Sequence, residues 1–205
     1  MSSIEQKARN KAQLRKTKVK QLAAATRAAS RRIGVRMYNV IYADPPWRFE
    51  PRSRDTGMDR AADNHYPTMP FDQIVKLKLP AAPRCALFLW ATVPMLPQAL
   101  HTMQAWGFAY KSHWIWYKPK RGTGFWNFNQ HEVLLIGTRG GIPAPTPGTQ
   151  PPSVLAYNSA GHSKKPHEFR GIISKLYPNV PKLEMFARGK APPGWDFWGN
   201  EVDHD

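Results

Sequence analysis

Four consecutive residues, Asp44-Pro45-Pro46-Trp47, put a carboxylate, two rigid carbonyls and an indole into one short stretch. Two prolines in a row fix the backbone and remove two amide donors, which leaves carbonyl oxygens facing outward. A carboxylate beside such a carbonyl is an acceptor pair, suited to gripping an NH2 group by both of its hydrogens. That grip has a use on the exocyclic amino group of adenine, a poor nucleophile because its lone pair is delocalised into the ring. Two acceptors hold the nitrogen in line with a methyl-sulfonium and take up the positive charge that develops as it attacks. The Trp47 indole offers a face for the base, as enzymes acting on extruded bases require. A tight turn beside a core tryptophan is the other reading of the same tetrapeptide.

Such a site needs a scaffold. In an open α/β sheet the ligand crevice lies beyond the carboxyl ends of the strands. The run Tyr38-Asn39-Val40-Ile41-Tyr42-Ala43 reads as a buried strand that stops at Asp44. Further strands are predicted over Ala86–Ala91, Ala109–Tyr117, Glu132–Gly137 and Lys182–Ala187. Helices are predicted over Phe71–Leu79, Pro94–Trp106 (stopped by Gly107) and Pro166–Leu176, with a proline in the first turn. The stretch Gly141–Ser153 carries five prolines and is read as irregular. Alternating strands and helices imply an α/β fold, a largely parallel sheet covered on both faces.

Charge marks off a second region. The chain has 205 residues and a formal charge of +16. Residues 1–36 hold eleven Lys and Arg against one acid, Glu5, and include no proline. This is read as a basic, partly helical arm for phosphate contact, with a catalytic domain over residues 37–205. A solvated tail is the bland alternative. Neither a membrane span nor a secretory signal is read from the sequence, and the expected place is the cytoplasm.

Beyond the tetrapeptide, ordered landmarks run from Tyr38 to Val202. They include His65-Tyr66-Pro67-Thr68-Met69, Leu87-Phe88-Leu89-Trp90, Trp114-Ile115-Trp116-Tyr117-Lys118 and His131-Glu132. Lys165-Pro166-His167-Glu168, Leu183-Glu184-Met185-Phe186-Ala187-Arg188 and Gly199-Asn200-Glu201 follow. With these the sequence resembles the adenine methyltransferase family named for the catalytic subunit of the messenger-RNA adenosine methyltransferase, which includes bacterial and phage DNA enzymes.

The resemblance implies a Rossmann-like methyltransferase fold with permuted motif order: catalytic tetrapeptide early, cofactor strand last. It implies S-adenosylmethionine as cofactor, held by Glu184, Phe186, Arg188, Asn200 and Glu201, with Asp44 and Pro45 at its methionine end. Asp44, Pro45, Pro46 and Trp47 are then the catalytic set, and Trp47, Tyr66, His131 and Lys165 the substrate contacts. The loop from Lys118 to His131 is shorter than in the messenger-RNA enzyme, where it helps dock a partner subunit, so no obligate heterodimer is implied. Ala187 replaces a family Gly, and Glu201 a Gln.

Other chemistries fit less well. The single cysteine, Cys85, follows Arg84 in an apolar run and suits a buried small hydrophobe rather than the nucleophile of a cytosine-carbon methyltransferase. Cytosine amino methylation favours Ser at position 44, and glutamine methylation favours Asn-Pro-Pro-Tyr. No His-Glu-x-x-His pattern is present, so no metal is expected, and without a phosphate-binding Gly-x-x-x-x-Gly-Lys loop a nucleotide triphosphatase is not expected. DNA is expected as the partner in preference to RNA. RNA adenosine methylation and a non-catalytic nucleic-acid binder are the alternatives.

Overall fold

The computed structural model describes residues 36–47, 68–122, 126–158 and 164–199, the backbone of 201–202, and Gln6, Gln13 and Thr17 singly. The basic arm, apart from those single residues and Arg36, lies outside the described residues, as do Tyr66 and Asn200. The strands are β1 (Tyr38–Ala43), β2 (Ala81–Thr92), β3 (Ala109–Tyr117), β4 (His131–Arg139), β5 (Val154–Ala156), β6 (Lys182–Met185), β7 (Arg188–Gly189), β8 (Trp195–Trp198) and β9 (Glu201–Val202). The helices are α1 (Phe71–Val75), α2 (Leu96–Ala105) and α3 (His167–Leu176).

Seven strands form one sheet in the order β5-β3-β4-β2-β1-β6-β8, while β7 and β9 pair separately. Neighbours are parallel except where β4 runs against β2 and β3. The expected largely parallel sheet is therefore present, with one reversed strand. From β1 the chain goes to β2 on one side and later to β6 on the other. The strand order thus switches beside β1, and ligands of open α/β sheets bind past the carboxyl ends at such a switch.

Period-two alternation divides the core between the two faces. Ile41, Ala43, Leu87, Leu89 and Met185 join Ile74 of α1 and Ala99 and Met103 of α2 on one face. Val40, Tyr42, Phe88 and Trp90 meet Phe169 and Ile173 of α3 on the other. Cys85 is fully buried, and burial pushes its thiol up to about 12. Among the described residues no helix is long and apolar enough to cross a membrane.

Several elements differ from the sequence reading. β2 begins five residues early because Pro83 lies where its pairing with β1 slips: Tyr38 faces Ala81, but Val40 faces Ala86. An irregularity is where a strand tolerates proline. Arg139 holds that segment by donating to the carbonyls of Ala81 and Ala82. β6 ends at Met185 because Phe186 turns left-handed, with φ 62°. The short strands β5, β7, β8 and β9 have no counterpart in the sequence reading.

Candidate active site

Asp44 follows the last residue of β1, between β2 and β6, and its amide donates to the Met185 carbonyl at 3.4 Å. The next three residues close on themselves. The Pro45 carbonyl accepts from the Trp47 amide at 2.7 Å, and the Pro46 carbonyl from the Met69 amide at 2.9 Å. Each carbonyl retains a second lone pair for another donor. Trp47 is only 6% exposed, and its indole N–H donates to the Trp90 carbonyl at 3.0 Å. In this packing the indole anchors the loop against the core and presents little open face.

Four charged side chains meet at this edge in alternating sign. The Lys165 ammonium, carried just ahead of α3, lies 2.8 Å from Asp44 Oδ2 and 3.3 Å from Glu132 Oε2. Glu132 also accepts from Lys118, which follows β3. The two lysines lie over buried tryptophans, Lys165 5.5 Å from the Trp90 ring centre and Lys118 4.2 Å from that of Trp116. Because β4 is reversed, its first residues, His131 and Glu132, reach the same edge as the ends of β1, β2 and β3; His131 itself pairs with Tyr117 and Glu132 with Thr92.

Burial and pairing compete at each group. Burial would lower the Lys165 ammonium, but Asp44 and Glu132 outweigh it and raise its pKa well above the ordinary value. Burial would raise Glu132, but Lys165 and Lys118 outweigh it and hold the carboxyl below the ordinary carboxylate range. At Asp44 burial prevails and raises the pKa, with Lys165 and then Arg188 pulling it down. Asp44 keeps about a third of its side-chain surface open (32%), so it is both reachable and tied to an ammonium.

The β6 side carries a second group. Glu184 stands beside Tyr42 in the ladder and accepts from Arg170 of α3 at 2.7 Å. Burial raises its carboxyl, and Arg170 opposes that rise. The Arg170 guanidinium also lies over the Phe197 ring. Phe186, in its left-handed conformation, packs edge-on against Trp198 at 5.1 Å between ring centres. A left-handed aromatic residue carries backbone strain of about 1–3 kcal/mol, of a kind that concentrates at functional sites. Gly199 permits a close crossing there: a Cβ would come within 2.3 Å of the Ala187 carbonyl oxygen. Arg188 then pairs with Glu201 through the backbone of β7 and β9.

The MT-A70 family model matches residues 38–201. The chain belongs to the MT-A70 family. It is 32% identical to the type II methyltransferase M.MunI of Mycoplasma sp over 80% of this chain and 78% of that protein. It is 30% identical to the N(6)-adenosine-methyltransferase MT-A70-like protein of Drosophila melanogaster, over 81% of this chain but 27% of that protein. For the N(6)-adenosine-methyltransferase catalytic subunit METTL3 of Homo sapiens the identity is 28%, over 81% of this chain and 28% of that protein. The chain thus spans about a quarter of the two animal relatives. MT-A70 proteins are S-adenosylmethionine-dependent methyltransferases, and the mixed sheet seen here is their Rossmann-like fold.

Among the residues singled out from sequence, Asp44, Pro45, Lys165, His131, Glu184, Phe186 and Arg188 stand along the carboxyl edge of this MT-A70 sheet or at its exits. Trp47 is at that edge but turned into the core. Glu201 is described only by its backbone. Sequence reasoning missed Glu132, Lys118 and Arg170 as members of the site. One signal was available: Glu132 is a lone charge opening the apolar run Val133-Leu134-Leu135-Ile136. Among the described residues no group of three His, Cys, Asp or Glu could hold a metal ion.

Proposed function

We propose that this chain transfers a methyl group from S-adenosylmethionine to the exocyclic amino group of adenine in DNA, with Asp44 as the acceptor that orients the amino group. The observation that carries this reading is Asp44 itself, part-open beyond β1 at the switch of strand order and held 2.8 Å from Lys165.

The donor set suits the cofactor. Its amino-acid end is a zwitterion, and Asp44 and Lys165 offer the complementary charges. Glu184, Phe186, Arg188, Asn200 and Glu201 are the remaining cofactor residues of this reading. The close crossing of Gly199 over Ala187 supports it, because that crossing joins the two segments from which they come. When bound, S-adenosylmethionine supplies an electrophilic methyl group on a sulfonium.

The chain's own groups then orient the nucleophile. Asp44 Oδ and the free lone pair of the Pro45 carbonyl accept the two amino hydrogens, and the carboxylate stabilises charge developing on the nitrogen. Glu132 offers Lys165 a second carboxylate, so the ammonium stays paired while Asp44 turns to substrate. Pro46 and Trp47 fix the loop through Met69 and Trp90, a positioning part in place of base stacking. Tyr66 and His131 are the proposed contacts to base or backbone. The likeness to the type II methyltransferase over most of its length supports DNA, and the N(6)-adenosine-methyltransferases support adenine.

Transfer of label from methyl-labelled cofactor to DNA and RNA oligonucleotides tests the reading. We expect label on adenine in DNA, and a fall in turnover of about 10²-fold or more for a folded Asp44→Ala variant. Normal turnover in that variant overturns the assignment. Label confined to RNA keeps the site and changes the substrate.

A further inference from the structure

The hairpin joining β3 to β4 has features that the site described so far does not use. The β3–β4 ladder closes at Tyr117 and His131, yet the two chains stay together beyond it. The Lys118 amide donates to the Gln130 carbonyl at 2.7 Å, and the Gly122 amide to the Asn129 carbonyl at 2.9 Å. A Cβ on Gly122 would come within 2.6 Å of the Asn129 carbonyl oxygen, so glycine permits this closeness. The result is a stem projecting from the carboxyl edge of the sheet. Its foot is Lys118, joined through Glu132 and Lys165 to Asp44.

Two large aromatics stand out from this stem. Trp126 is 97% exposed and Phe128 is 62% exposed, while the Arg121 guanidinium lies 5.4 Å from the Phe128 ring centre. Elsewhere in the fold tryptophans are buried, as at Trp47, Trp90 and Trp116. From Lys118 to Gln130 the sequence has three basic residues, Lys118, Lys120 and Arg121, and no acid. Exposed rings on an acid-free, cationic support match the chemistry of a nucleic-acid strand, whose bases present π-faces and whose backbone presents anions. A protein-docking surface also draws on aromatics and Arg but is depleted of Lys, whereas Lys118 and Lys120 stand here beside Arg121.

We infer that Trp126 and Phe128 are a stacking platform for the nucleobases flanking the target adenine, with Lys120 and Arg121 on the adjoining phosphates. Trp47 is committed to the core, whereas the rings of this hairpin are open to a ligand. The inference rests on the proposed reaction for the identity of the target base, while the hairpin's contact with nucleic acid is measured separately.

The test is fluorescence anisotropy with fluorescein-labelled DNA of mixed sequence, single-stranded and duplex, over a range of salt concentrations. Trp126→Ala is expected to weaken binding about tenfold at every salt concentration, the scale of losing one stacked base, and to leave the salt slope unchanged. Lys120→Gln with Arg121→Gln is expected to flatten the slope. Leu100→Ala, an exposed apolar residue on α2, is expected to change neither. Because Trp126 is almost fully exposed, its truncation leaves the melting temperature in place. Equal affinity in Trp126→Ala and the unaltered chain overturns the inference. So does a change of oligomeric state in that variant with DNA affinity intact, which assigns the rings to a second copy of the chain. Methylation of adenine with unaltered Trp126→Ala binding sinks only the hairpin. Weakened binding without methylation in the unaltered chain sinks only the reaction.

Discussion

The ammonium of Lys165 lies 2.8 Å from Oδ2 of Asp44 although 121 residues of chain separate them. The contact joins the end of β1 to the approach of α3, and it favours the charged form of the group proposed to grip the substrate. Burial raises the Asp44 carboxyl and Lys165 pulls it back, so removing Lys165 must raise it further. Lys165→Met is expected to lower turnover by about 10²-fold and to move the acid limb of the pH–rate profile upward. Lys165→Arg keeps the charge and is expected to leave the limb near its original place. A structural role alone predicts lost activity with an unmoved limb, so the profile separates the two.

Glu132 makes the complementary prediction for stability. It is buried between two lysines, and its native pKa is held below the ordinary value of 4.5. A lowered carboxyl contributes stability that is present above the ordinary value and lost as pH falls through the native one. Glu132→Gln is expected to cost about 3 kcal/mol near neutral pH, because it leaves two ammonium groups facing a neutral amide. Below pH 4.5 the gap between variant and unaltered chain is expected to narrow. Urea midpoints at stepped pH measure this. A constant gap shows that the lysines do not hold the carboxylate down.

Which parts were legible in the sequence follows from the range of each signal. β1 and β3 were readable because apolar content and turn residues lie within their own few positions. β8 was hidden because Trp195-Asp196-Phe197-Trp198 is too short for periodicity and carries a carboxylate. Asp196 is tolerated there because Arg36 and the Tyr38 hydroxyl donate to it at 2.9 and 2.8 Å, neither partner being near in sequence. The early start of β2 was hidden by Pro83, and only the slipped pairing with β1 explains it. At the candidate site, the place of Asp44 just past a strand end was legible in the sequence. Lys118, Glu132 and Arg170 were not, because what makes each one part of the site is a charge brought close by the fold.

Gly199 offers a test of the crossing near β6. Its Cβ would lie 2.3 Å from the Ala187 carbonyl oxygen and 2.8 Å from the Ala187 nitrogen, both backbone atoms that cannot swing aside. Gly199→Ala must therefore displace Phe186–Arg188 or the exit of β8. We expect at least tenfold weaker S-adenosylmethionine binding by calorimetric titration, about 1.4 kcal/mol, with the sheet still folded by circular dichroism. Undiminished affinity in a folded variant places the cofactor away from this crossing.

The arm, almost wholly outside the described residues, carries the strongest compositional signal and is tested without its structure. Eleven basic residues against one acid in residues 1–36 form a cationic segment with little else to offer a ligand. Phosphate contacts of this kind strengthen binding by releasing counterions and do not read bases. Deleting residues 1–34 is expected to weaken DNA binding similarly on all sequences. It is also expected to reduce the slope of log affinity against log salt by about 0.7–0.9 for each phosphate that the arm neutralises. Cofactor affinity and the preference for adenine are expected to persist, because Asp44 and the exits of β6 and β8 lie in the part that remains. A tail that serves solubility alone, or a helix that docks a protein, predicts the same slope with and without the arm. Affinities at several salt concentrations for the full and shortened chains distinguish these outcomes, and identical slopes remove the arm from the nucleic-acid interface.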